Sequence, residues 1–257
     1  MNAYEKVSAA RAKGRPTGTD YIANIFQDFM EMHGDRRFGD DKAVVAGIAR
    51  LDDLPVTVIA LEKGRDTKEK VYRNFGSAHP EGYRKALRQM KLAEKFGRPV
   101  VCFVDTAGAY CGIAAEERGQ GQAIAENLME MMTLKVPVIS ILIGEGGSGG
   151  ALALAVADEV WMLENAVYSV ISPEGCASIL WKDASKVKEA SECLKLTAED
   201  LYRMKVIERI IGEYGRGFHL TCAELRRTLL ETFSKNLQLS PKELINNRYN
   251  RFRKIGI

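Results

Sequence analysis

Segments with a helical spacing of apolar residues alternate along this chain with runs rich in apolar and β-forming residues. These two patterns predict helices and strands in turn. A helical spacing of apolar residues follows Thr19 and is closed by His33-Gly34-Asp35. The apolar positions of this predicted helix are Ile22, Ile25, Phe26, Phe29 and Met30. Two runs rich in β-forming residues, from Ala43 to Leu51 and from Leu54 to Leu61, predict a hairpin with Asp52-Asp53 as its turn.

A charged segment and a long helix are predicted next. Residues 63–73, KGRDTKEKVYR, contain five basic side chains and predict either a solvated loop or a site for phosphate. A helix is predicted to start at Pro80 and to end at Gly97. One face of this helix carries Tyr83, Leu87, Met90 and Phe96.

Two continuous apolar runs each end in a turn of small residues. The first, from Pro99 to Val104, continues into DTAGAYCG (105–112) and a helix to about Leu134. The second, from Val136 to Ile143, continues into GEGGSGG (144–150) and an apolar helix from Ala151 to Ala157. Strands that are apolar throughout are buried on both faces, and α/β proteins bind ligands at the edge where such strands end. The sequence therefore predicts an α/β fold with a ligand site at these two turns.

The rest of the chain continues the same alternation. Its predicted elements are strands from Glu159 to Leu163 and from Val167 to Ile171, a helix from Pro173 through Trp181, a helix capped by Thr197 with Asp200, and a strand from Val206 to Ile211. Ser240-Pro241-x-Glu243 is a capping box for a final helix. Cations near the end of that helix suit its dipole; they are Arg248, Arg251, Arg253 and Lys254. We expect a single domain, with a polar lead (1–18), a core (19–212) and a helical extension (213–257).

Composition narrows the class of protein. The 257 residues are 46% hydrophobic and 28% charged with a net charge of +3, which is typical of a soluble globular protein and too weak a charge to indicate nucleic-acid binding. The absence of a long apolar run or apolar leader argues against a membrane span and secretion. The five cysteines form no C-x-x-C pair, so we expect reduced thiols in a cytoplasmic protein and no zinc ribbon.

The glycine cluster at 144–150 fits three chemistries. Gly144-x-Gly146-x-x-Gly149 matches a dinucleotide-binding fingerprint, with Glu164 as the ribose acceptor. Gly146-x-Ser148-x-Gly150 matches a nucleophile elbow. Its base would be His219, oriented by Asp158, Asp183 or Asp200. The third is an oxyanion hole of main-chain amides at a helix N-terminus, which suits a chain with three histidines because it needs none.

Five segments, in order between about Thr19 and Ile211, carry one further signal. They are KGRDTKEKVYRNFG, HPEGYRKALRQMKLAEKFGRPV, VDTAGAYCGIAAEERGQ, IGEGGSGGALAL and YSVISPEGCASILWK. Together they resemble the carboxyltransferase alpha subunits of bacterial acetyl-CoA carboxylases. The resemblance implies an α/β, crotonase-like fold, a spiral of β-β-α units with added N- and C-terminal helices. It also implies transfer of a carboxyl group from carboxybiotin to acetyl-CoA, giving malonyl-CoA for fatty acid synthesis.

The same resemblance implies partners. The alpha subunits pair with a beta subunit, usually as α2β2, and work with a biotin carboxyl carrier protein and a biotin carboxylase. Zinc in this family belongs to the beta subunit, so no metal is expected in this chain.

The resemblance also implies site residues. The turn at Gly149 and Gly150, with the Ala151 amide, would form the oxyanion hole for the ureido oxygen of biotin. Other residues implied to line the biotin pocket are Gly108, Ala109, Tyr110, Gly112, Gly146, Gly147, Ser172, Glu174 and Gly175. Candidate contacts for the phosphates of coenzyme A, or for an acidic partner surface, are Lys63, Arg65, Lys68, Lys70 and Arg73.

The sequence departs from the family pattern in three places. Ala107 and Cys111 stand where the family usually has prolines, which loosens the turn and leaves open a non-catalytic crotonase-like subunit. The long N-terminal helical region of many relatives is largely missing. Residues 212–219, GEYGRGFH, match the family's Gly-Gly-Ala-His ending only in part.

Overall fold

Eight strands form one mixed sheet within residues 1–213 and 217–256, which this computed structural model describes. The strands are β1 (Gln27–Glu31), β2 (Val44–Leu51), β3 (Leu54–Leu61), β4 (Val100–Thr106), β5 (Val138–Gly147), β6 (Glu159–Leu163), β7 (Val167–Ser169) and β8 (Arg209–Ile211). Their order is β1-β2-β3-β4-β5-β6-β8, and β7 pairs with the end of β5. The first three strands are antiparallel, while β3, β4, β5, β6 and β8 are parallel neighbours. The carboxyl ends of β4 and β5 therefore lie side by side.

The helices pack around this sheet. They are α1 (Ala3–Ala10), α2 (Gly18–Ile25), α3 (Thr67–Tyr72), α4 (Pro80–Phe96), α5 (Ile113–Glu117), α6 (Gln120–Thr133), α7 (Ser148–Leu152), α8 (Pro173–Trp181), α9 (Val187–Cys193), α10 (Ala198–Arg203), α11 (Phe218–Asn236) and α12 (Pro241–Arg253). The predicted hairpin is confirmed, with Leu51 opposite Leu54. The bounds of α4 are also confirmed, because Gly97 ends it in the left-handed conformation that glycine favours.

The predicted helix after Thr19 is shorter than its apolar spacing indicates. It is capped by Thr17 and ends at Ile25, and the following residues form the edge strand β1. Met30 lies opposite Ile48 of β2 and is exposed, while Phe29 packs against the core. The prediction of a helix through Met30 is wrong, because pairing with the open edge of β2 replaces the helical turn.

The apolar run from Ala151 to Ala157 is only partly helical. Helix α7 stops at Leu152, and buried residues 153–157 form turns that lead to β6. Residues that are buried on every side have no helical period, so their pattern does not separate a turn from a helix. The strands predicted to end at Ile171 and to begin at Val206 are also shorter than expected.

The first and the last helix both pack against the rest of the fold. The segment predicted as a polar lead contains α1, whose Val7 and Ala10 are buried. In α12 the capping box of Ser240 and Glu243 is confirmed. Arg248 does not act on the helix dipole as predicted: it is fully buried and contacts Asp158 at 2.9 and 3.0 Å.

Candidate active site

The turns after β4 and β5 are in direct contact. Thr106 pairs with Gly146 where the two strands end. A Cβ atom on Gly147 would collide with the carbonyl oxygen of Ala107, and one on Gly150 would collide with the amide nitrogen of Ala109. Glycine is therefore required at 147 and 150 because one main chain lies against another, and the two predicted turns form one unit.

Helix α7 begins directly after this contact. Gly147 is its N-cap, and Ser148, the first residue of the helix, has a left-handed φ of 51°. The amides of Ser148, Gly149 and Gly150 have no acceptor within the helix. Ala151 is one position further, where the amide reaches back to the N-cap carbonyl. Gly149 and Gly150 are thus better candidates for anion donors than Ala151. The carbonyl oxygen of Gly150 accepts a hydrogen bond from the Tyr83 hydroxyl at 3.3 Å.

Three cavities surround the two turns. The first, of about 380 Å³, is lined by Ser148, Gly149, Leu152, Tyr168, Ser169, Val170, Leu194, Leu201 and Val206. The second, of about 360 Å³, is lined by Val71, Asn74, Phe75, Ser77, Ala109, Tyr110 and Cys111. The third, of about 30 Å³, brings together Ala107, Gly146, Gly147, Ser172 and Pro173, with Val7 and Arg11 from the N-terminal segment among its other lining residues. Five of the nine predicted biotin-pocket residues line the second or the third cavity: Ala109, Tyr110, Gly146, Gly147 and Ser172. The other four line none of the three: Gly108, Gly112, Glu174 and Gly175.

The turn after β4 is ordered without prolines. Thr106 Oγ1 donates to the Gly108 carbonyl at 2.8 Å and accepts from the Gly108 amide at 3.1 Å. The Tyr110 ring stacks on His79 with 4.0 Å between ring centroids, and the Gln120 side chain donates to the Tyr110 carbonyl at 2.8 Å. These contacts hold the turn where the family usually has two prolines. Beyond them, Cys111 is exposed and Gly112 is half-buried.

The start of α8 forms a further wall. Ser172 caps this helix by accepting a hydrogen bond from the Gly175 amide at 3.1 Å. Glu174, in the first turn, pairs with Arg11 at 2.6 Å. This placement agrees with a wall near Gly146 and Gly147, although Glu174 itself is engaged by Arg11.

Lys63 has a role that its sequence context did not indicate. Its Nζ lies 3.0 Å from Asp105 and 2.7 Å from Glu145, and its side chain is 16% exposed. Burial by itself would lower the pKa of Lys63, but the two carboxylates raise it above the usual value. Lys63 therefore binds two carboxylates, which makes it a poor candidate for a phosphate contact. Lys63, Asp105 and Glu145 each lie at the end of an apolar strand, which was the available signal for this cluster.

The other basic candidates separate into two groups. Arg65 pairs with Asp20 at 2.7 Å, and Arg73 donates to the Lys42 carbonyl at 2.9 Å. Lys68 and Lys70 on α3 form no ion pair with any other residue in the described part of the chain. Among the five candidates, Lys68 and Lys70 are the two whose charge is not paired within residues 1–213 and 217–256.

The structure does not assemble a dinucleotide site. Gly144 and Gly146 lie within strand β5, so the fingerprint does not open a strand-to-helix turn at its first glycine. The Glu164 carboxylate accepts a hydrogen bond from the Glu213 amide at 2.9 Å and is not directed toward a nucleotide ribose.

The structure does not assemble a serine triad either. Within residues 1–213 and 217–256, Ser148 makes no side-chain hydrogen bond to a histidine. The three candidate orienting carboxylates have other partners: Asp158 binds Arg248, Asp183 binds the Ser185 amide, and Asp200 binds Thr197. Residues 214–216 of the GEYGRGFH segment lie outside the described residues.

The described residues as a whole offer neither a metal site nor a membrane-spanning helix. They contain no cluster of three or more His, Cys, Asp or Glu side chains placed to hold a metal ion. None of their helices combines the length and apolarity that crossing a membrane requires.

The mixed sheet and the helices packed around it confirm the expected α/β, crotonase-like fold. Transcarboxylase 12S superposes with a TM-score of 0.71 at 21% identity, covering 89% of this chain and 45% of that one. At this identity the likeness establishes the fold alone.

The sequence comparisons add the family. The family described as acetyl co-enzyme A carboxylase carboxyltransferase-like matches residues 1–256. The chain is 68% identical over 257 residues to the acetyl-coenzyme A carboxylase carboxyl transferase subunit alpha of Ruminiclostridium cellulolyticum, covering 100% of this chain and 99% of the relative. It is 56% identical over 260 residues to a Clostridium tetani protein named as subunits beta/alpha, covering 100% of this chain and 45% of that protein. The chain belongs to this carboxyltransferase alpha family and is a transferase component of acetyl-CoA carboxylase.

Proposed function

We propose that this chain, in complex with a beta chain, transfers the carboxyl group of carboxybiotin to acetyl-CoA. The observation that carries the proposal is the start of α7, where the amides of Gly149 and Gly150 lack acceptors inside the helix. The same turn is packed against the turn after β4 and borders two cavities. This is an arrangement that stabilises negative charge on an oxygen without a side-chain acid or base.

The main-chain amides would do the electrostatic work. Carboxybiotin, when bound, supplies the carboxyl group that is transferred. The N–H groups of Gly149 and Gly150 would donate to the ureido oxygen, and the positive end of the α7 backbone dipoles adds to the attraction. Loss of one such donor typically lowers the rate by about 10²–10³.

The surrounding residues suit a compact, uncharged ring system. The cavity beside Gly149 is lined mainly by apolar groups, among them Leu152 and Val170. Gly146 and Gly147 line the adjoining small cavity with Ser172, and Gly147 leaves the main chain uncovered by any side chain. Ala109 and Tyr110 border the opposite side of the contact between the turns.

The acetyl-CoA side of the reaction depends on the partner. A beta chain would supply the second pair of amides that activates the acetyl group, and it would carry the zinc expected for the family. The fusion of beta and alpha in the C. tetani relative supports this pairing. Lys68 and Lys70 are the remaining candidates for coenzyme A phosphates. We further propose an α2β2 assembly that works in the cytoplasm with biotin carboxyl carrier protein and biotin carboxylase in fatty acid synthesis.

The test is reconstitution with a beta subunit. The chain alone, the beta subunit alone and the mixture are assayed for biotin-dependent conversion of malonyl-CoA to acetyl-CoA, with free biotin as the carboxyl acceptor. We expect conversion only in the mixture and only with biotin. A well-formed complex that converts no malonyl-CoA would reject the proposal and favour a non-catalytic crotonase-like subunit.

A further inference from the structure

Five charged side chains from five parts of the fold form a continuous chain beside the two turns. Asp105 of β4 contacts Lys63, which follows β3, at 3.0 Å, and Lys63 contacts Glu145 of β5 at 2.7 Å. Arg11, at the end of α1, contacts Glu145 at 2.6 Å and Glu174 of α8 at 2.6 Å. Asp105 also accepts the Glu145 amide at 2.9 Å. The chain therefore links both strand ends to the N-terminal helix and to α8.

The inner part of this chain is buried. The side chains of Asp105 and Glu145 are 6% and 11% exposed, so their charges depend on their partners. Burial alone would raise the pKa of Glu145, but Lys63 and then Arg11 lower it. The hydrogen bond from Arg11 lowers the pKa of Glu174 as well. The carboxylates of Glu145 and Glu174 are accordingly charged at neutral pH.

Arg11 joins two walls of the proposed biotin pocket. Glu145 directly precedes Gly146 and Gly147, and Glu174 lies two residues after Ser172. Arg11 itself lines the small cavity that these walls enclose. Without its guanidinium, Glu174 would lose the ion pair that ties it to Arg11, and Glu145 would keep only its pair with Lys63.

Helix α1 is held firmly enough to place Arg11. Val7 and Ala10 are buried against Val167 and Leu196, and the Lys6 ammonium donates to the Glu164 carbonyl at 2.7 Å. The Ala3 amide donates to Glu192 at 2.9 Å. The N-terminal helix is therefore fixed at both ends and along its buried face.

We infer that Arg11 is a positioning residue for the biotin side of the site, holding the α8 wall at a set distance from the glycine turn. This inference rests on the proposed function. The planar guanidinium reaches both carboxylates at once, which the single ammonium of a lysine does less well. Arg11→Lys should therefore retain part of the effect.

The kinetic test uses the complex with a beta subunit and varies biotin and malonyl-CoA separately. We expect Arg11→Ala to raise KM for biotin on the order of tenfold, since small displacements of a pocket wall weaken productive binding. KM for malonyl-CoA should change less than about twofold. Glu174→Gln should shift KM for biotin in the same direction, and Arg11→Lys should lie between Arg11→Ala and wild type. Arg227→Ala, which removes an exposed pair with Glu231 on α11, is the matched control.

A second measurement separates this inference from the proposed function. Hydrogen exchange of the amides in 174–181 should speed up on the order of tenfold in Arg11→Ala and not in Arg227→Ala. Wild-type complex without activity would reject the proposed function, while the exchange data would still decide whether Arg11 holds α8. Unchanged exchange, unchanged KM for biotin, or equal rises in KM for both substrates would each overturn the inference. If Arg11→Ala does not fold, Arg11→Lys and Glu174→Gln give the same comparison.

Discussion

Single glycines near the site differ in what surrounds them. Gly150 is buried where the main chain of the neighbouring turn approaches. A Cβ atom added to Gly150 would lie 2.7 Å from the carbonyl carbon of Gly108. Gly121, on α6, has open space around the same position. Steric need for glycine is therefore a property of the contact between the turns and not of helical glycines in general.

We expect Gly150→Ala to separate the two turns, and so to lower both the thermal midpoint and carboxyl transfer, with a rate loss on the order of 10²-fold. Gly121→Ala should leave activity unchanged and raise stability by about 0.5–1 kcal/mol, because alanine favours the helix. Thermal melts and the malonyl-CoA assay check both variants. Full activity in Gly150→Ala would show that this contact does not shape the site.

Asp35 ties the loop after β1 to α4. Its buried carboxylate accepts the amides of Arg37, Phe38 and Gly39 and pairs with Arg84 at 2.7 Å. Burial alone would raise the pKa of Asp35, but the main-chain amides and Arg84 lower it to about 2.

Because the folded pKa of Asp35 is below its ordinary value of 3.8, its stabilisation is present above that pH and is lost as the pH falls toward 2. We expect Asp35→Asn to cost about 1.5–3 kcal/mol at neutral pH and less at pH 3 and below. Urea unfolding midpoints of both proteins at several pH values measure this. A difference that stays constant across the acid range would contradict the assignment.

At the scale of elements, α12 is anchored by one arginine. The Arg248 guanidinium binds Asp158 and also donates to the carbonyls of Met131, Leu134 and Val136. It therefore joins the last helix to the end of α6 and to the turn before β6.

We expect Arg248→Ala to destabilise the protein by about 3–5 kcal/mol, because it leaves the Asp158 carboxylate buried without its partner. Arg253→Ala changes an exposed residue of the same helix and should stay within about 0.5 kcal/mol of wild type. Urea unfolding compares the two variants. Equal effects of both substitutions would mean that the buried Arg248–Asp158 pair stabilises the protein no more than an exposed charge does.

At the scale of the whole molecule, the sheet order places every proposed donor at one edge. The dinucleotide alternative requires the same edge, but β5 continues through its first glycines. We therefore expect NAD to change neither the thermal midpoint nor the tryptophan fluorescence, to which the buried Trp161 contributes. A saturable rise of the midpoint with NAD would indicate binding to the folded state and contradict this expectation.

Local patterns were sufficient for much of the fold. The strand, turn and helix order around 99–150 depends on neighbours in sequence, as do the Ser240 capping box and the Gly97 helix end. The resemblance implied Gly150 in the oxyanion hole and Gly147 in the pocket, whereas the close main-chain contact that requires glycine at both positions was found only in the structure. The sequence placed Phe29 and Met30 in a helix, which is wrong because strand pairing overrides a short helical spacing.

The sequence by itself determined which segments are apolar strands, where small-residue turns follow them, and to which family the motifs correspond. Only the tertiary structure decided which charges meet. Arg11 and Glu145 are 134 positions apart, and Arg248 and Asp158 are 90 apart. No local period encodes such a pair, because an ion pair depends on distance in space and on burial. The role of Lys63 and the docking of the N-terminal helix were decided in the same way.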